Sequence, residues 1–413
     1  MPIVNPRLVR VEFGWPIEFN MHIPSAISTL PQRSTELALL LESWANQNSG
    51  SNNFAGLDDM REKLRSAFAS IPGISIEDIP LVGTPAQALR MRMRPTADLQ
   101  ILLNGHYDTV YEADHPFQIC TKPDKHTLRG PGVADMKGGI VVMLAALRAF
   151  EQTSPTGNLG WEVLLTPDEE TGSRASAPLF TEVATRCQFG LVFESARISG
   201  DLVHSRKGTG QFMVSCHGKA AHVAAPADGR NAVVALAAFV QAVSKLPAEI
   251  PGVLLNVVRF RGGEGASNIV PDKAEIIIDV RVTRVADQTM VLDRMQKLVA
   301  LANIADGIQI ELKGEFNRPP KECGPVEEFA FAAWQQAGAD LSLAPFSWIH
   351  TGGGSDGSLL SAAGLPNLDG VGPVGGHLHS DREFCELPTL VERAQLTALF
   401  LHRVATGEIS LLT

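Results

Sequence analysis

The stretch TPDEETGS, residues 166 to 173, closes the apolar run WEVLL with three acids in a row, Asp168, Glu169 and Glu170. Carboxylates crowded together repel one another. A solvated turn with an acidic helix start would explain them, and so would a bound dication, which removes the repulsion. Other residues favour the dication. QILLNGHYDTV ends with His106 and Asp108, and FGLVFES ends with Glu194. GPGVADMKGG places Asp135 ahead of a helical pattern, and GGHLHSDREF supplies His377 and His379. Imidazoles mixed with carboxylates suit Zn²⁺, Mn²⁺ or Co²⁺ better than Ca²⁺, which takes oxygen shells. Each residue alone has an ordinary reading. Asp135 could cap the helix beginning at Met136, His106 could be a hydrogen-bonded loop residue, and Glu194 could open a helix. Their joint occurrence at successive strand ends points to a metal site.

The elements around these residues alternate. Helical spacing runs from Ser34 to Trp44 and from Leu57 to Phe68. DLQILLNGHYDTV, WEVLLTPDEE and FGLVFES read as strands, and MKGGIVVMLAALRAFEQ reads as a helix between them. That order implies βαβ units and a mostly parallel sheet, whose carboxyl ends are where α/β proteins hold ligands. Near residue 207 the pattern changes. GTGQFMVSCHG and AEIIIDVRVTR are β-branched, alternating strands, with GRNAVVALAAFVQAVSKL between them and ADQTMVLDRMQKLVALANI after them. A β/α/β/β/α/β order of this kind describes an α+β, ferredoxin-like module. The expected fold is α/β, with residues 1–207 plus 316–413 forming the catalytic domain and residues 208–315 an inserted lid or dimerisation domain. NRPP (317–320) would be the hinge back, and TGGGSDGSLLSAAG would open a glycine-led helix. The Pro-rich residues 1 to about 30 have no clean period and read as an extension lying on the domain.

Composition narrows the partners. A formal charge of −10 argues against nucleic acid and anionic membranes. No apolar stretch is expected to span a bilayer, and the N-terminal residues lack the apolar core of a signal peptide. Five scattered cysteines without a C-x-x-C pair fit reduced thiols, so a cytoplasmic setting is the default expectation. No G-x-S-x-G nucleophile elbow is expected, which disfavours a serine hydrolase.

The set HYDTV, GPGVADMKGG, TPDEETGS, FES, GKAAH, NIVP, DVRVTR, TGGGSD and HLHSDREF, in that order over about residues 35 to 410, resembles the zinc aminoacylase/carboxypeptidase family of metallopeptidases. That family includes acetylornithine deacetylase, succinyl-diaminopimelate desuccinylase, aminoacylases and glutamate carboxypeptidases. TGGGSD and the C-terminal His motif look most like the bacterial glutamate carboxypeptidases. The resemblance implies two zinc ions, with cobalt or manganese as substitutes. His106 and Glu194 would hold one ion, Glu170 and His379 the other, and Asp135 would bridge them. Many family members carry Asp at the position of Glu194. Asp108 would orient His106, Glu169 would act as the general base, and His222 of GKAAH would stabilise the oxyanion in a partner subunit's site. Arg281, Asn268, the amides of Gly353 and Gly354, and Arg318 would bind substrate, although Arg281 could equally pair with a nearby acid and Asn268 could shape the turn before Pro271. The implied activity is release of a C-terminal, glutamate-like amino acid from an amide or short peptide by a homodimer. The alternative on the same metals is deacylation or desuccinylation of an N-acyl amino acid.

Overall fold

A computed structural model describes residues 22–155 and 158–411. The chain divides into two compact units. One comprises the described residues up to His204, together with Cys323–Ile349 and the residues from Ser355 onward; the other comprises Ser205–Glu322 and His350–Gly354.

The first unit is built on a mixed sheet whose strands lie in the order Ser75–Pro80, Gln87–Met93, Leu159–Thr166, Leu99–His106, Phe189–Val192, Asn367–Asp369, Leu202–Arg206 and Trp348–Thr351. Its four central strands are parallel, and antiparallel strands extend it on either side. The register aligns the chemistry. His106 lies opposite Thr166, and Asn104 lies opposite Val192, so residues 106, 166 and 194 leave the sheet at one level. Strand Leu159–Thr166 is buried along its whole length, as a central parallel strand must be.

Helix Lys137–Gln152 covers this sheet with 13 of its 16 residues buried and packs against helix Leu387–Ala405. Burying each Leu, Ile or Phe side chain there contributes about 1.5–3 kcal/mol. Gly139 allows the close approach, because a Cβ at that position would collide with the carbonyl oxygen of Phe193, the residue before Glu194. The N-terminal turns also belong to this core. Ser25–Ser28 and Leu30–Arg33 bury Ile27 and Leu30, so the chain is packed from about residue 25 and is no extension there. The rest of the expected extension, residues 1–21, lies outside the described residues.

The second unit has the β/α/β/β/α/β order: Gly208–His217, helix Ala232–Val243, Leu254–Gly262, Lys273–Val282, helix Val285–Ala302 and Gln309–Arg318. Its antiparallel sheet runs Gln309–Arg318, Gly208–His217, Lys273–Val282, Leu254–Gly262. Alternation makes this possible. Phe212, Val214 and Cys216 face the same core as Ile276, Ile278 and Val280.

One expectation needs correction. The 18-residue window Ala232–Glu249 reaches a mean hydropathy of 1.4 and is long and apolar enough to cross a membrane by those criteria. Its helix Ala232–Val243 buries Ala232, Leu236, Phe239 and Val243 in the core of the second unit, and 28% of the window is buried. The five cysteines are free thiols, four of them buried.

Candidate metal centre

His106 ends its strand with a ring that is 1% exposed. Its Nε2 is 3.1 Å from Asp135 Oδ1 and 3.6 Å from Glu194 Oε1. On the other oxygen of Asp135, His379 Nε2 stands 3.2 Å from Oδ2 and 3.1 Å from Glu170 Oε2. Two groups thus share one carboxylate: His106, Asp135 and Glu194, and Asp135, Glu170 and His379, each with ligand atoms within 4.8 Å of one another. Two imidazoles and three carboxylates form a donor set that suits a borderline divalent ion.

The electrostatics point the same way. Burial opposes charge on the His106 ring, yet hydrogen bonds to Asp108 and Asp135 hold it well above the ordinary imidazole value. Hydrogen bonds to Asp135 and Glu170 push His379 up to about 11. Burial, followed by the charge of Asp135, raises Glu170. Asp135 is pulled below the usual carboxylate range by both histidines, against its burial. Cations are therefore drawn to this cluster, whether protons or metal ions.

The three adjacent acids divide their work. Glu169–Thr171 is a 3-10 turn rather than extended chain. Asp168 turns away and accepts the N–H groups of Ala175 and Ser176 and the Ser176 hydroxyl. Glu170 faces His379, and Glu169 is half-buried beside it in sequence. Asp108 holds the turn. Its Oδ1 accepts the Glu169 N–H, its Oδ2 accepts the Glu170 N–H, both at 3.2 Å, and Oδ2 also accepts the Ser51 hydroxyl at 2.7 Å. Asp135 caps nothing. Helix Lys137–Gln152 starts after Met136 with no side-chain cap. His377 is exposed, its ring against Phe384 5.9 Å away, and it belongs to neither group.

Sequence reasoning missed two residues here. Glu383, in the motif HLHSDREF, is buried against the loop that carries Asp135, and Tyr111 donates to it at 2.9 Å. Burial pushes Glu383 up to about 7, opposed by the amides of Asp135, Ala134 and Gly132. Only the position of Glu383 within that motif could have signalled it.

The remaining candidates lie in the second unit, in two places. His222 and Asn268 are neighbours. The carbonyl of Asn268 accepts the Val223 N–H, and His222 bridges Ile269. His222 is exposed, and its Nδ1 accepts the Ala224 N–H, which leaves the proton of the neutral ring on Nε2. Arg281 is instead engaged by its own surroundings. Its Nε bonds Asp279 Oδ1 at 2.9 Å and its Nη1 the carbonyl of Gly352 at 3.0 Å. The carbonyls of Gly353 and Gly354 accept from Arg206, and buried Arg318 lies along Gly354. Lys273–Val282 separates the two places, since Asn268 precedes this strand and Arg281 is at its far end.

GGSDG, residues 353 to 357, does fit the spacing of a serine-hydrolase elbow, contrary to the sequence reading. Ser355 is fully buried, however, and its Oγ donates to Asp369 and accepts the Gly357 N–H as a helix cap. It is a structural serine.

The model of peptidase family M20/M25/M40 matches residues 102–403. The chain belongs to this family. It is a metallo-hydrolase of the M20 type, and the matched span includes His106, Asp135, Glu170, Glu194 and His379. Among curated relatives, carboxypeptidase G2 of Pseudomonas sp. (strain RS-16) is 29% identical over 321 residues, 75% of this chain and 74% of that one. Succinyl-diaminopimelate desuccinylase 2 of Shewanella loihica is 27% identical over 329 residues, 74% of this chain and 85% of that one. Among solved structures, aminopeptidase PepT of Bacillus cereus shares the fold, with a TM-score of 0.76 and 20% identity over 90% of this chain and 99% of that one.

Proposed function

We propose that this family member is a di-zinc hydrolase that cleaves an amide or peptide bond to release a C-terminal, glutamate-like amino acid. The observation that carries this reading is the sharing of Asp135 between the His106–Glu194 pair and the Glu170–His379 pair. Zinc ions held there would lower the pKa of a bound water toward ~7 and polarise the scissile carbonyl. Glu169 takes the proton of the attacking water and returns it to the leaving nitrogen. Asp108 fixes the backbone of Glu169 and Glu170 from one side and the His106 ring from the other, so base and ligands move together. His222, with its proton on Nε2, donates to the developing oxyanion.

The assembly is a homodimer in this account. His222 and Arg281 stand near opposite ends of a ten-residue strand. The eight residue steps from Lys273 to Arg281 alone span roughly 27 Å of extended chain, too far for one small substrate to touch both from a single copy. A second copy supplies His222. Leu254–Gly262 is the edge strand of that sheet, with Leu254, Val258 and Phe260 exposed, and Val234 is exposed on the neighbouring helix. An apolar edge of this kind is suited to pairing with its own copy.

Arg281, Arg318 and the Gly353 and Gly354 amides would hold the substrate carboxylate, and Asn268, which neighbours His222, would reach the substrate from the second copy. The second reading, removal of an N-acyl group from an amino acid, is favoured by one feature: Arg281 already spends its fork on Asp279 and Gly352. Carboxypeptidase G2 and the desuccinylase stand among the relatives on either side of this choice. Turnover of matched γ- and α-glutamyl conjugates and N-acyl amino acids by the zinc-loaded protein separates the two. Faster cleavage of N-succinyl or N-acetyl amino acids than of any acid-terminated conjugate would reject the carboxypeptidase reading.

A further inference from the structure

Glu383 is 1% exposed, yet its carboxylate is surrounded by donors. Oε1 accepts the N–H groups of Ala134 at 2.9 Å and Asp135 at 3.0 Å. Oε2 accepts the Gly132 N–H at 3.1 Å and the Tyr111 hydroxyl at 2.9 Å. Three amides from four consecutive residues therefore converge on one side chain, a nest built for an anion. The main chain of Glu383 grips the same loop, since its carbonyl accepts the Gly130 N–H at 3.2 Å. Next to it, Phe384–Glu386 pairs with Thr127–Arg129, the strand that feeds the loop.

The loop's last residue is Asp135, and four residues before Glu383 is His379, whose Nε2 lies 3.2 Å from Asp135 Oδ2. Tyr111 ties the other side, its single hydroxyl proton shared between Glu383 Oε2 and the Ser380 carbonyl 2.8 Å away. The segment that presents His379 and the loop that presents Asp135 thus meet at a single buried carboxylate. Loop stability alone would be served by a side chain anywhere along the strap. The convergence on the amides of Ala134 and Asp135 instead sets where the Asp135 side chain starts.

We propose that Glu383 is a positioning residue of the metal centre, fixing Asp135 against His379 so that the two can share an ion. The inference rests on the two-metal reading given above. It needs an acceptor at both oxygens. Gln at this position turns one acceptor into an NH₂ group that faces donors, while keeping size and shape.

Zinc affinity measured by competition with a chromophoric chelator tests this, together with the melting temperature of the chelator-treated protein. Glu383→Gln should weaken zinc binding by about 10–100-fold, the usual effect of losing a partner that orients a ligand. Tyr111→Phe, a milder change because the three amides still hold the carboxylate, should weaken it by about three- to tenfold, the worth of a single hydrogen bond. Wild-type affinity for both ions in Glu383→Gln, with only a lower melting temperature, would overturn the proposal and reduce Glu383 to a loop support. If Glu383→Gln does not fold, Tyr111→Phe decides, and unchanged affinity there overturns it as well. A wild-type protein that binds no zinc would instead sink the two-metal reading, so the two failures are distinguishable.

Discussion

Asp108 holds Glu170 by the backbone: its Oδ2 accepts the Glu170 N–H at 3.2 Å, while its Oδ1 lies 3.2 Å from His106 Nδ1. One buried carboxylate therefore sets a residue of each candidate metal-ligand group. Asp108→Asn keeps one acceptor oxygen and replaces the other with a donor that faces an N–H or the Ser51 hydroxyl. Zinc affinity should drop by about 10–100-fold, with a parallel fall in kcat. A variant with full metal content and wild-type kcat would show that this linkage is not used.

Glu169 and Glu170 are adjacent and should fail differently. Glu169→Gln should lose about 10²–10⁴ in rate and keep its metal, because only proton transfer is removed. Glu170→Gln should lose metal affinity too, since its carboxylate faces His379 and Asp135. Metal analysis alongside steady-state kinetics reads both. If Glu169→Gln emptied the site and Glu170→Gln did not, the assigned roles would be reversed.

The chelator-treated protein should respond to pH through His379, which Asp135 and Glu170 push up to about 11. The raised value means that the protonated ring stabilises the fold fully below the ordinary imidazole pKa of about 6.5. This contribution fades as pH rises from there through about 11. Zinc must displace that proton, so its affinity should climb over the same window. The melting temperature of the metal-free protein should fall between pH 7 and 10, and His379→Gln should flatten part of the slope. Identical slopes in the two proteins would deny the pairing.

Arg281→Lys keeps a charge but loses the fork that bonds Asp279 and Gly352. KM for acid-terminated substrates should rise, while a substrate with an amidated terminus should be handled alike by both proteins. Equal damage to the two substrates would assign Arg281 to the fold and favour the deacylase reading.

Part of the candidate metal centre was legible because several of its residues follow apolar runs that read as strands, and parallel strands end level. That rule brought His106, Glu194 and the pair Glu169 and Glu170 to one end of the sheet, and only the family resemblance chose Glu170 of the pair as the ligand. The second unit was legible for a similar reason, as its β-branched alternation and two helices spell out one order of elements. What escaped notice depends on contacts distant in sequence. Glu383 meets Gly132 across 251 residues, and Ser51 meets Asp108 across 57, which no spacing records. The bond from Arg281 to the Gly352 carbonyl was equally hidden, because His350–Gly354 folds with the inserted unit although it lies far along the chain, whereas pairing with a nearby acid, Asp279, was open from the sequence. TPDEETGS misled in one respect. Three acids after a strand suggest extended chain, yet Asp108 and Asp168 each capture amides and wind the segment into a turn.

The homodimer can be tested by mixing. His222→Ala and Glu169→Gln protomers are each inactive alone in this account, but one site of their heterodimer would contain both intact groups. Recovered turnover after subunit exchange is expected. No recovery despite proven exchange would confine His222 to its own chain.

The central claim is that two metal ions share Asp135. Metal analysis of the purified, zinc-loaded protein, followed by chelation and stepwise return of zinc with activity measured at each step, tests it most directly. The account predicts two ions per chain, no turnover in the chelated protein, and activity restored by Zn²⁺, Co²⁺ or Mn²⁺. Full turnover with no metal bound, or full activity with a single ion per chain, would contradict it.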